Sequence, residues 1–161
     1  MTHHENGAAH VKELVEDQRT AMLTTVHAET GALTSRPMTL QEVDEDGTFW
    51  FLALADSATA HEIQAHADVN VAFTKEGAWV SVAGKAEVRR DPAKAKELWN
   101  EFAKTWFQKE PEDPAVAVIR VDGDTAQYWD SPGRAATVVE MVKARLTGDR
   151  PDPGESRTVD L

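Results

Sequence analysis

Three short segments combine residue types that could hold an anionic, ring-bearing ligand. The first is Thr34-Ser35-Arg36-Pro37-Met38-Thr39-Leu40, where an arginine and several hydroxyls stand beside a proline. The guanidinium offers a planar fork of donors to a phosphate, carboxylate or carbonyl. The proline lacks an N–H, so it marks a strand edge that is left unpaired. The competing reading is an arginine solvated at a hairpin edge. The second segment is Ser57 with Thr59, where hydroxyls meet the free N–H groups of a helix start and suit a phosphate, although simple N-capping uses the same residues. The third is Tyr128-Trp129-Asp130, a further candidate whose competing reading is core packing or a strand-end anchor.

Other constellations carry no chemistry. His61-Glu62-Ile63-Gln64-Ala65-His66 looks like a zinc-protease helix, but that motif needs histidines four apart. Here they are five apart, about 140° around a helix of 3.6 residues per turn, and read as two polar residues on a surface helix. His3 and His4 are expected to lie outside ordered structure. Asp44 to Gly47 is a hairpin turn and not a calcium loop. The glycines stand singly and form no phosphate loop, and no serine sits in a nucleophile elbow. With no cysteine in the chain, disulfides, thiolate catalysis and Cys-ligated zinc are excluded.

The elements that must position these segments follow from periodicity and punctuation. A first helix is expected from Glu5 to Arg19, its body at about residues 8–19. Ala21–His27, Leu33–Val43 and Thr48–Leu54 read as three strands joined by turns at Gly31 and Gly47. In the third strand Phe49 and Phe51 face one way and Trp50, Leu52 and Leu54 the other, so both faces should be covered. A short helix is expected from Ser57 to about His66, then strands around Val69–Phe73 and Ala78–Val88, with Gly84 marking a bulge. Asp91-Pro92 starts a helix that places Leu98, Phe102 and Trp106 on one stripe. Ala115–Trp129 reads as a long strand hinged at Asp122-Gly123-Asp124. A last helix is expected at about residues 132–147, starting at Ser131-Pro132, with an irregular tail over 149–161. Short turns between consecutive strands imply a mainly β fold, an antiparallel meander closing into a β-barrel with packed helices, in one domain over residues 1–161.

Net charge is −11, which opposes nucleic-acid binding. No segment is long and apolar enough for a membrane helix, and the polar N-terminus does not read as a signal peptide. A cytoplasmic protein without membrane or nucleic-acid partners is expected.

At these segments the chain resembles the general stress protein branch of the FMN-binding split barrels, relatives of pyridoxamine 5′-phosphate oxidase. The resemblance rests on Arg36-Pro37-Met38, Phe49-Trp50-Phe51, Ser57 with His61-Glu62-Ile63, Val80 to Ala86, and Ala126 to Pro132, in that order over nearly the whole chain. It implies a six-stranded antiparallel split barrel that forms a homodimer, with FMN at the subunit interface; FAD or a deazaflavin are the other flavins to consider. It further implies that Arg36, Pro37, Met38, Thr39 and Leu40 line the ring and phosphate, that Ser57 and Thr59 hold the phosphate, and that Trp129 lies near the ring, from either the same or the partner subunit. One departure stands out. Relatives carry a lysine just after the position of Ser57, where this chain has Ala58 and Thr59. Losing a charge-assisted bond of ~1.5–3 kcal/mol would weaken FMN roughly tenfold to a hundredfold. The function implied is a flavin-binding general-stress-type protein, either a weak flavin-dependent oxidoreductase or a non-enzymatic flavin or small-ligand carrier or sensor, the limiting case being a barrel that has lost tight FMN binding.

Overall fold

A computed structural model describes residues 3–75, 77–131, 134–148 and 155–161. The elements run α1 (His3–Val15), β1 (Thr20–Val26), β2 (Leu33–Val43), β3 (Thr48–Leu54), α2 (Ala58–Ala65), β4 (Asp68–Lys75), β5 (Ala78–Arg89), α3 (Pro92–Leu98), α4 (Glu101–Phe107), β6 (Val116–Asp130), α5 (Arg134–Thr147) and β7 (Glu155–Asp160). The strands form an antiparallel sheet in the order β3-β2-β1-β4-β5-β6-β7. Pairing of β6 back onto β3, from Thr48 opposite Asp122 to Leu54 opposite Val116, closes six of them into a barrel. This is the split-barrel architecture.

Alternation explains the closure. Phe49 and Phe51 on β3, Leu23 on β1, Phe73 on β4, Val82 on β5 and Ile119 on β6 point inward and are buried. Each such side chain contributes about 1.5–3 kcal/mol. The outward residues of β3 are covered as well: Leu52 joins Ala95, Leu98, Ala103, Val116 and Val118 in a second apolar layer beneath α3 and α4. The two-sided pattern of Thr48–Leu54 thus has its cause in a barrel inside and a helix layer outside.

The sheet curls at Gly84, where the β5–β6 register shifts. A Cβ at Gly84 would stand 2.2 Å from the Asp122 carbonyl oxygen, so only glycine allows this approach.

Three sequence expectations are corrected. Helix α1 runs from His3 to Val15, so His3 and His4, expected to lie outside ordered structure, are helical, and the helix stops short of the expected Arg19. The stretch after Asp91 is two helices rather than one. Trp99 is extended, and Asn100 caps α4 by accepting from the Ala103 N–H at 2.9 Å. The tail is not wholly irregular: β7 pairs with β6 from Thr125–Asp160 to Asp130–Glu155. Glu155–Asp160 is short and mostly polar, and the edge of β6 that lies beyond its pairing with β3 gives it a partner. The expected helix start at Pro132 and the stretch 149–154 lie outside the described residues.

Candidate functional site: a cleft at the split between β2 and β3

Strand β2 pairs with β1 along its length from Leu33 to Thr39, but with β3 only from Leu40 to Val43, with a bulge between Leu40 and Glu42. The proline at position 37 lies in the stretch that β3 has left, which explains how a residue without an N–H fits there.

Over this opening α4 forms a wall. A cleft of about 300 Å³ lies between Pro37, Met38, Thr39 and Gln41 of β2, Thr20 of β1 and Leu52 of β3 on one side, and Phe102, Trp106 and Phe107 of α4 on the other. It runs on into a shallower groove past Arg19, Asn100 and Glu101. Phe102 and Trp106 stack at 6.0 Å with planes 13° apart, yet they are 55% and 72% exposed. Phe107 stacks on Trp99 at 5.8 Å and belongs to the outer apolar layer. Asn100 fixes α4 in place: its side-chain oxygen caps the helix and its amide donates to Gln41 Oε1 at 2.9 Å. Lys94 holds α3 to the same strands through Glu42 at 3.4 Å and the Trp50 ring at 4.3 Å.

The residues singled out in sequence fall on different surfaces. Pro37, Met38 and Thr39 line the cleft. Leu40 does not: its side chain is in the barrel core, and its backbone N–H donates to the Arg19 carbonyl at 2.8 Å.

Arg36 points inward, on the row that runs through Leu23, Val71, Val82 and Ala126. Its guanidinium donates to Glu62 Oε2 at 2.8 Å, to the Thr34 hydroxyl at 2.9 Å and to the Thr25 hydroxyl at 2.5 Å. Thr34 also donates to the same glutamate oxygen at 3.0 Å, and Thr25 adds a short bond to it. These donors hold the Glu62 carboxyl below the usual glutamate range, the Thr25 hydroxyl foremost, then Thr34 and Arg36, against the opposing effect of burial. Arg36 is therefore the centre of a latch joining β1 and β2 to α2. Glu62, read in sequence as part of a surface helix, is buried.

Ser57 is the N-cap of α2 and accepts from the Ala60 N–H at 3.2 Å. Its hydroxyl proton remains available, and half-buried Thr59 lies in the first turn. Trp129 is half exposed beside Trp79 at the far end of β6. Trp129 is not among the residues that line the cleft, although the barrel closure through β3 leaves its strand only two strands from β2. Among the described residues no three His, Asp or Glu side chains converge as a metal site requires.

Sequence reasoning missed the α4 wall. Phe102 and Trp106 were grouped with Leu98 as one packing stripe, and only the helix break at Trp99-Asn100 turns them outward. The available signal was Asn100 itself, a good N-cap three residues before Ala103.

A closed antiparallel barrel of six strands, split beside a proline-bearing strand and faced by helices, defines the split-barrel class. Within it the chain belongs to the pyridoxamine 5′-phosphate oxidase-like family, whose sequence model matches residues 6–152. Protein bli-3 of Neurospora crassa is 30% identical over 140 residues, which cover 80% of this chain and 67% of that protein. A general stress protein 26 from Jannaschia sp. CCS1 superposes with a TM-score of 0.77 at 25% identity, over 98% of this chain and 99% of that one. The general stress FMN/FAD binding protein of Xanthomonas citri does so with a TM-score of 0.64 at 29% identity, over 81% and 90%. This is a family of general-stress and oxidase-like flavin-binding proteins. Among the described residues no helix is long and apolar enough to cross a membrane.

Proposed function

We propose that this chain binds FMN as a homodimer, with the flavin ring in the β2–α4 cleft and the phosphate at the start of α2. The observation that carries this reading is the cleft itself. It has an aromatic wall, an unpaired strand edge and two threonine hydroxyls, and its size and apolar lining suit a planar ring. The Xanthomonas citri neighbour bears FMN/FAD binding in its name. Ser57, Thr59 and the first-turn amides of α2 are the phosphate donors, and the charge of Arg36 is already matched by Glu62, so the phosphate is held without a dedicated cation. Trp129 reaches the ring from the partner subunit, since it does not line the cleft of its own chain.

A bound flavin supplies hydride and electron transfer. The protein's part is to hold the ring against Trp106, exclude water with α4 and present the Thr20 and Thr39 hydroxyls. Among the described residues the cleft itself is lined by uncharged side chains, and the ionisable groups nearest to it in the adjoining groove are Arg19 and Glu101.

Titration of the purified protein with FMN, followed by flavin fluorescence, tests the reading. Saturable binding in the micromolar range or tighter is expected, and Trp106→Ala should weaken it about three- to tenfold, the worth of ~0.5–1.5 kcal/mol for an aromatic contact. Absence of micromolar binding overturns the proposal. Bleaching of the bound flavin by NADH or NADPH then separates a reductase from a carrier.

A further inference from the structure

The groove that continues the cleft has charges of its own. It is bounded by Arg19, Thr20, Thr39, Asn100, Glu101 and Phe102, and it shares Thr20, Thr39 and Phe102 with the cleft. The two ends of this trough differ. Helix α2 is latched to β2 at Thr34 and Arg36. Arg19 lies toward the other end of β2, where its carbonyl accepts from the Leu40 N–H at 2.8 Å. A flavin with its phosphate at α2 and its ring in the cleft leaves the Arg19 end open.

Arg19 and Glu101 are opposite charges on one groove, and both are exposed. Among the described residues neither side chain has an ion pair or a hydrogen bond, and the same holds for the Thr20 and Thr39 hydroxyls. The other charges near Arg19 lie on its far side, in a polar hollow lined by Lys12, Glu16 and Glu42. There Lys12 pairs with Glu45 and Glu42 with Lys94, and Glu16 lines that hollow and not the groove. The Asn100 side chain is occupied by its cap and by Gln41.

These charges select a ligand. A plain anion gains Arg19 but meets Glu101 and the field of a chain of net charge −11. A cation gains Glu101 and the field but meets Arg19. A zwitterion gains both contacts and has no net charge for the field to act on. The guanidinium is a fork for a carboxylate, Glu101 is a partner for an ammonium, and the exposed Phe102 ring is a contact for a planar apolar group. We propose that the groove is a second ligand site for a small zwitterion with an aromatic side group, an α-amino acid or a compound of the same charge pattern, its carboxylate on Arg19 and its ammonium on Glu101. A ligand seated there abuts whatever ring the cleft holds, because the two sites share three residues. The inference goes beyond the flavin reading and stands without it, since the groove and its charges do not depend on what fills the cleft.

Calorimetric titration of the whole chain, with and without saturating FMN, tests this with three probes. These are phenylalanine, phenylpropionate, which lacks the ammonium, and phenylethylamine, which lacks the carboxylate. Phenylalanine should bind saturably and about fivefold tighter than either analogue, the upper range for one exposed ion pair. Arg19→Gln should weaken phenylalanine by about the same factor and spare phenylethylamine, while Glu101→Gln should weaken phenylalanine and spare phenylpropionate. Both positions are exposed, so neither substitution threatens the fold. Absence of saturable phenylalanine binding into the millimolar range, an analogue that binds as tightly, or an affinity that neither substitution changes overturns the site. FMN binding is read in the same samples, so the two readings fail separately: zwitterion binding without FMN binding sinks only the flavin reading, and the reverse sinks only this site.

Discussion

Arg36 shows how a residue type suited to ligand binding can also be engaged by the fold. Its fork of donors matches a phosphate, but Glu62 from α2 reaches it first, and Thr25 and Thr34 complete the shell. Removing one partner of such a pair leaves a charge uncompensated, and Glu62→Ala should cost about 3 kcal/mol in urea unfolding at neutral pH. The pair also makes stability depend on pH. The Glu62 carboxyl is held below its ordinary value in the folded protein, so its contribution is complete above that ordinary value and fades as pH falls through the lower, folded one. The stability difference between wild type and Glu62→Gln should therefore be largest near neutrality and shrink through the carboxylate range. Urea midpoints across pH check this, and a constant difference would show that the ionised carboxylate is not what matters. Nothing in the spacing of Arg36 and Glu62 announces their contact, because it depends on how α2 closes over the end of the barrel.

At the scale of elements, strands bounded by strong punctuation were legible. The limits of β2 and β3 follow from the turns at Gly31 and Gly47, both at positive φ, and the bulge followed from Gly84 inside a strand pattern. Gly84→Ala should destabilise by about 2–3 kcal/mol as the new methyl forces the Asp122 carbonyl away, read as a lowered urea midpoint. The break between α3 and α4 was not legible, because the apolar spacing runs on across it and only the cap at Asn100 decides. Substitutions at Asn100 separate its two tasks. Asn100→Asp keeps the cap and loses the donor to Gln41; Asn100→Ala loses both and should cost about 1 kcal/mol of stability. If the anchor to Gln41 sets the width of the cleft, both variants weaken FMN binding while only Asn100→Ala lowers the melting temperature appreciably. Strand β7 was illegible for a different reason: its partner edge exists only once β6 has outrun β3.

For the whole molecule, fold class was readable because alternation, short turns and two-sided strands all pointed to one closed antiparallel sheet. The cleft was half readable. Its β2 wall stands in the sequence around Pro37, while its α4 wall depends on tertiary packing. Net charge now has a measurable effect. FMN is a dianion approaching a chain of charge −11 with no free cation assigned to its phosphate. Raising salt from low to physiological ionic strength, which shortens the screening length to about 8 Å, should tighten FMN binding and leave riboflavin, which lacks the phosphate, nearly unchanged. Weaker FMN binding at higher salt would point to a basic phosphate site instead.

Closure of the ring between β3 and β6 also governs how the chain reaches its shape. Thr48 and Asp122, neighbours across that seam, are 74 residues apart. Sheets dominated by such distant pairings fold in milliseconds to seconds, far slower than helical bundles, because a long loop must close before its contacts form. Until then Thr48-Phe49-Trp50-Phe51-Leu52-Ala53-Leu54 is an uncharged, proline-free edge of high β-propensity, the kind of segment that pairs between chains. Refolding yield should therefore fall as protein concentration rises, and a charge introduced at half-buried Trp50 should trade native stability for a cleaner return from denaturant.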